Sequence, residues 1–318
     1  MTDERSAETI LWDLTRGGLT ARVLGLVAEL GIADALSEGP RQVDELARES
    51  GASADMLHRS LRALASDGVF AEDEPGVFRN TEASELLRRE GDWQEFAHFF
   101  GGIWLRTAAE LDPTGEPTFE RTFGTDFWSW LSERPSERAA FDRAMAAGRD
   151  RSVDRLEQVE WRDGETVVDV GGGNGALLLG LLRRRPELRG IVFDLPETDR
   201  HEEAFGDRLE FVAGSFFDRV PVGDTYILSA ILHNWDDESA RKILETVRAS
   251  APPDARVLIH ETVIQPGNEQ GGSKWLDVLM LALLGSRERD EAQWRELLEG
   301  TAFEPVSIED GLIQARCR

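Results

Sequence analysis

The chain has 318 residues, a formal charge of −25 at pH 7, 41% hydrophobic residues and a single cysteine, Cys317. An acidic excess of that size argues against nucleic-acid binding, which depends on basic patches, and one cysteine excludes both a disulfide framework and a cysteine-rich metal site. With no basic-then-apolar leader and no apolar run near the roughly 20 residues a membrane helix needs, a cytoplasmic protein is expected, with no nucleic-acid and no membrane partner.

From Ala7 to about Leu36, apolar residues recur at three- and four-residue spacings, the period of an amphipathic helix. Little nearby chain is available to cover this face, so burial against a second subunit is expected. Segments beginning at Val43 and near Ala54 read as short helices. Val69-Phe70-Ala71 and Val77-Phe78-Arg79 then flank the turn formers Asp73-Glu74-Pro75-Gly76. Two helices and a two-stranded wing form a winged-helix pattern. Acids outnumber bases across 41–79, which favours a dimerisation module over a DNA-binding regulator. Residues 91–160 read as helical and rich in aromatics, most of which core packing explains; Pro135 suits the first turn of a helix running to Gly148.

From Thr166 the pattern alternates strand and helix. Strands are expected at 166–170, 190–194, 209–213, 225–231, 256–264, 303–308 and 311–316. Helices are expected at 175–185, 197–205, 237–250, 273–284 and 291–299. Only Glu309-Asp310-Gly311 separates the final two strands, so they must pair as an antiparallel hairpin on an otherwise parallel, doubly wound sheet. The chain thus divides into 1–90, 91–160 and 161–318.

The first strand of this region breaks into Gly171-Gly172-Gly173-Asn174-Gly175, and the second ends on Asp194. A glycine turn lets backbone approach a ligand, and an acid at the next strand tip accepts ribose hydroxyls; together they grip a nucleoside cofactor. Gly171-x-Gly173-x-x-Ala176 also fits a loose dinucleotide pattern, so a nicotinamide cofactor is the rival reading, disfavoured by the terminal hairpin. The fourth strand delivers His233 to the carboxyl edge of the sheet, where ligands of such sheets sit. His58, His98 and His201 are read as structural. Trp104 and Trp275 suggest a flat, apolar substrate. No His/Cys/Asp cluster with metal-ligand spacing stands in the sequence.

Taken in order, Asp169-Val170-Gly171-Gly172-Gly173-Asn174-Gly175, Asp194-Leu195-Pro196, Leu232-His233-Asn234-Trp235-Asp236-Asp237-Glu238, Glu261, Asp277-Val278-Leu279-Met280-Leu281 and Arg287-Glu288-Arg289 resemble the S-adenosylmethionine-dependent small-molecule O-methyltransferases of the caffeic-acid and acetylserotonin type, including bacterial natural-product tailoring enzymes. The resemblance covers nearly the whole chain. It implies a Rossmann-like α/β methyltransferase sheet closed by the hairpin, and a helical winged-helix domain forming a homodimer. It also implies methyl transfer to an aromatic or polyketide-like hydroxyl, with S-adenosylhomocysteine as product and no metal.

By the same resemblance His233 is the general base, and Glu261 and Glu288 are the carboxylates that hold it. Gly171, Gly173, Asp194 and Phe216 match cofactor positions, and Asp169, Leu195, Ser215 and Ser229 are taken with them as cofactor-binding. Phe141, Met145 and Met280 match acceptor-pocket positions. Two residues depart from the family pattern. Ser215 replaces the acid expected after Gly214, and Ser229 replaces the lysine of plant members. Some relatives use the scaffold for hydroxylation, decarboxylation or pericyclic steps; retention of His233, Glu261 and Glu288 favours ordinary transfer.

Overall fold

The computed structural model describes residues 6–146, 149–196, 198, 206–268 and 271–318. The chain forms two compact units, Met1–Glu110 with Leu131–Ala147, and Leu111–Trp130 with Gly148–Arg318.

In the first unit, helix Ala7–Glu29 begins at Ser6, whose hydroxyl accepts the Thr9 N–H at 3.1 Å. The long helical stretch expected to Leu36 is two helices. Gly31, at φ +66°, turns the chain into the short helix Ile32–Ala35. Helices Val43–Ser50 and Ala54–Ser66 follow. The wing has three strands, β1 (Arg41–Gln42), β2 (Phe70–Glu74) and β3 (Val77–Asn80), with β3 in the middle. A two-residue strand carries no readable period, which is why β1 escaped the sequence reading. Leu46, Leu57, Leu61, Phe70 and Phe78 are buried in one apolar cluster. Helix Gln94–Gly101 crosses Ala7–Glu29 at two glycines. A Cβ at Gly25 would lie 2.6 Å from the Ala97 carbonyl oxygen, and one at Gly101 would lie 2.5 Å from that of Ala21.

In the second unit the strands are β4 (Thr166–Val170), β5 (Arg189–Asp194), β6 (Leu209–Ala213), β7 (Thr225–Ser229), β8 (Arg256–His260), β9 (Val263–Ile264), β10 (Arg289–Asp290), β11 (Phe303–Glu309) and β12 (Leu312–Cys317). Seven of them form one sheet in the order β11-β12-β8-β7-β4-β5-β6, and β9 pairs with β10 in parallel. Within the large sheet β12 runs antiparallel to both neighbours and the remaining pairs are parallel. The expected hairpin is therefore present, turned by Asp310 (φ +48°) and Gly311 (φ +80°), a pair suited to a tight two-residue turn.

The strands are buried on both faces, as parallel sheets must be. Val168, Val170, Tyr226, Leu228, Val257 and Ile259 pack with Trp294 and the helix Asp237–Ser250 on one side. On the other, the alternate residues Val167, Ile227 and Leu258 pack with Val153, Leu156 and the helix Ala176–Arg184. Helices Gly272–Leu284 and Glu291–Glu299 also lie where the pattern placed them.

Two strand expectations change. The strand expected to reach Ile231 ends at Ser229, because Ala230 adopts a left-handed conformation at φ +56°. The strand expected over 256–264 is broken into β8 and β9 where Glu261 leaves the ladder. The expected helix 197–205 lies outside the described residues apart from Thr198, and so does His201. Among the described residues, no helix is long and apolar enough to cross a membrane.

Candidate active site

The glycine turn begins where β4 ends. Asp169 is buried on β4 beneath it: a Cβ at Gly172 would meet the Asp169 carboxylate at 2.8 Å. Gly171 (φ +72°) must be glycine on two counts, since a Cβ there would also strike the Ile231 side chain at 2.5 Å. Gly173 (φ +59°) has the opposite surroundings, with nothing within 4 Å of the position a Cβ would take. Its N–H donates to Asp194 Oδ2 at 2.7 Å, while Leu195 N–H and the Thr198 hydroxyl donate to Asp194 Oδ1 at 2.7 and 2.9 Å. The acid at the tip of β5 is thereby fixed against the turn, and Oδ2 keeps acceptor capacity for a hydroxyl. A left-handed backbone with an open side, beside a carboxylate locked in place, fits the ribose of a nucleoside cofactor. Phe216 borders the turn, 3.7 Å from a Cβ at Gly171, and packs edge-to-face against Phe217 and Trp235. The Ser215 hydroxyl accepts the Phe217 N–H at 3.2 Å, and Ser229 Oγ lies 3.3 Å from His260 Nδ1.

His233 is carried by the 3₁₀ turn Leu232–Asn234, immediately beyond β7. Its Nδ1 lies 2.7 Å from Glu288 Oε1 and 3.9 Å from Glu261 Oε2. The two acids therefore have separate tasks. Glu288 holds the ring. Glu261 Oε1 instead accepts the N–H groups of Ile231 and Leu232 at 2.8 Å each and of His233 at 3.4 Å, capping the turn itself. Glu261 is anchored in turn by its N–H, which donates to the Gly311 carbonyl at 2.9 Å, at the bend of the terminal hairpin. Glu288 is anchored by its N–H to Asp277 Oδ1 at 2.9 Å.

Both carboxylates are buried and the His233 side chain is 15% exposed. Burial opposes a charge on His233, but the Glu261 charge and the hydrogen-bonded Glu288 outweigh it and push the imidazole up to about 9. Burial pushes the Glu261 carboxyl up, against the pull of His233. Ligand atoms of His233, Glu261 and Glu288 all lie within 4.8 Å of one another, so the structure assembles a possible metal-donor set that the sequence spacing hid. His233 Nδ1 and Glu288 Oε1 engage each other and Glu261 Oε1 engages backbone N–H groups, while Glu288 Oε2 is buried without a hydrogen-bond partner.

The five residues expected to touch a flat substrate fall in different units. In the first, Trp104 is buried and stacked on Phe99 at 5.2 Å, Phe141 meets Phe99 edge-on at 5.9 Å, and Met145 is half-buried. In the second, Met280 is buried on helix Gly272–Leu284, and Trp275 on the same helix is 69% exposed. Sequence reasoning missed Ile231, Trp235 and Arg289. The last two stood inside quoted motifs, but nothing in a motif reports what a side chain touches.

A doubly wound sheet with an acid–base pair beside a glycine turn defines the class: an α/β enzyme with a nucleoside-cofactor site at its strand ends. Two family models match, the O-methyltransferase dimerisation domain over residues 12–90 and the O-methyltransferase domain over 104–304. The chain belongs to the O-methyltransferase family. It is 38% identical to phenazine O-methyltransferase PhzM of Lysobacter antibioticus, over 93% of this chain and 90% of that one. The crystal structure of LaPhzM superposes with a TM-score of 0.90 at 35% identity, covering 99% and 100% of the two chains. Human N-acetylserotonin methyltransferase in complex with S-adenosylmethionine superposes at 0.86 and 26% identity, over 100% and 99%.

Proposed function

We propose that the protein transfers a methyl group from S-adenosylmethionine to a phenolic hydroxyl of an aromatic or polyketide-like natural product, releasing S-adenosylhomocysteine. The observation that carries this reading is the His233–Glu288 pair at 2.7 Å, set at a strand end beside the glycine turn. When bound, the donor supplies an electrophilic sulfonium methyl. Gly171, Gly173, Asp194, Leu195 and Phe216 would hold it, with Asp169, Ser215 and Ser229 supporting that wall. Trp104, Phe141, Met145, Trp275 and Met280 would contact the acceptor.

Within this reading His233 receives the hydroxyl proton at Nε2 while Glu288 holds Nδ1–H and stabilises the imidazolium. A phenol near ~10 faces an uphill transfer of about 3.5 pH units to an ordinary imidazole, or about 5 kcal/mol. With His233 at about 9, the gap narrows to about one unit, or about 1.4 kcal/mol. The same match means that His233 rests protonated at neutral pH until a proton leaves. Oxygen, methyl and sulfur held in line supply the remaining acceleration. This assignment needs no metal.

By this reading residues 1–90 form the dimerisation module of a homodimer, 91–160 contribute to the acceptor pocket, and 161–318 bind the donor; the enzyme works in the cytoplasm. His233→Ala should lower methyl transfer by about 10²–10⁴ and leave donor binding intact. The check is a screen of phenolic acceptors read by product mass and by calorimetric binding of S-adenosylhomocysteine. Undiminished transfer by the variant removes His233 as base.

A further inference from the structure

The turn bearing His233 is held from a second side. Arg289, on β10, is fully buried beside Glu288. One of its terminal nitrogens donates to the Leu232 carbonyl at 3.0 Å. The other donates to the Trp235 carbonyl at 3.0 Å and to Asp237 Oδ1 at 2.7 Å, and Nε donates to the same oxygen at 3.0 Å. The guanidinium also lies over the Trp294 ring, 5.2 Å from its centroid. The two carbonyls it bridges bracket His233 and Asn234.

We propose that Arg289 is a positioning residue: by bridging the Leu232 and Trp235 carbonyls to Asp237, it fixes the turn that presents His233 to Glu288. Glu288, just before β10, and Arg289, its first residue, thus restrain the same histidine, Glu288 through its ring and Arg289 through its backbone. Glu261 completes the restraint by capturing the N–H groups at the start of the turn. A planar guanidinium can bond two carbonyls and a carboxylate at once, whereas a lysine ammonium brings charge without that fork. The assignment rests on His233 being the base, and its test reads the imidazole directly.

The experiment compares full-length wild type, Arg289→Lys and Asp237→Asn, each carrying isotope-labelled histidine, with the His233 resonances identified by their absence in His233→Ala. Asp237 is 41% exposed, so its variant changes a part-exposed side chain and weakens the outer anchor of the buried guanidinium by removing its charge. In Arg289→Lys the His233 titration midpoint should fall by about one pH unit and the Nδ1–H signal of the Glu288 bond should be lost. Asp237→Asn should show a smaller fall in the same direction. Binding of S-adenosylhomocysteine should stay within about threefold in both, because the glycine turn is held by other contacts. A folded Arg289→Lys with an unchanged midpoint and an intact Nδ1–H signal overturns the proposal. Should that variant fail to fold, the same two readouts in Asp237→Asn decide it. Full transfer by His233→Ala would instead overturn the base assignment, an outcome separate from the titration.

Discussion

Glu288 and Glu261 face one imidazole, yet only Glu288 is within hydrogen-bond distance of Nδ1. Replacing Glu288 with Gln keeps the shape and removes the charge that helps to raise His233. The sign follows from the direction of the shift. The imidazole sits above its ordinary value, at about 9, so the acid form dominates below that pH and the base form appears as pH rises through it. The pair's contribution to stability is correspondingly full below ~6.5 and lost as pH rises through the raised value. The ascending limb of kcat/KM, which reports the free enzyme, should therefore lie near that value in wild type and move about one unit lower in Glu288→Gln. A limb that stays in place would mean that the acceptor's own ionisation is being read. That Glu288 and not Glu261 holds the ring was invisible in the sequence. Both are acids at motif positions, and the difference is 2.7 against 3.9 Å across segments far apart in the chain.

At the scale of elements, the crossing of Ala7–Glu29 and Gln94–Gly101 depends on Gly25 and Gly101, where added methyls would overlap carbonyl oxygens of the facing helix. Gly25→Ala and Gly101→Ala should each destabilise the first unit by about 1–3 kcal/mol despite alanine's better helix propensity, as thermal melts would register. The double variant should lose less than the sum, because helices pushed apart for one methyl make room for the other. This contact was not legible beforehand, since helical period says which face is apolar and not which helix meets it. Elements with long runs were read well. The glycine turn after β4, the acid closing β5 and the β11–β12 hairpin follow from local chemistry. What escaped were β1 and β10, each two residues long, the break that separates β9 from β8, and the end of β7. Strands β7 and β8 stop where Ala230 turns left-handed and where Glu261 bonds the hairpin, and both causes are tertiary.

At the scale of the molecule, the exposed apolar residues Leu11, Trp12, Leu14 and Leu19, each 61–70% accessible, stand on a helix largely within the matched dimerisation domain. Leu14→Glu should weaken self-association about tenfold or more, as sedimentation at graded concentrations would measure. Two chains of formal charge −25 also repel. Raising salt from 0.1 to 1 M shortens the screening length from about 10 to about 3 Å and should strengthen self-association of the wild type. The placement of β12 between β8 and β11 has a consequence for how the protein is made. A nascent chain can complete its glycine turn and β8 well before residues 311–317 emerge. Until they do, β8 presents an unpaired edge, and Glu261 lacks the Gly311 carbonyl that anchors it. Synthesis therefore finishes the glycine turn first and the anchoring of the His233 turn late. A ribosome paused in that window would hold an aggregation-prone chain whose Glu261 still lacks its anchor.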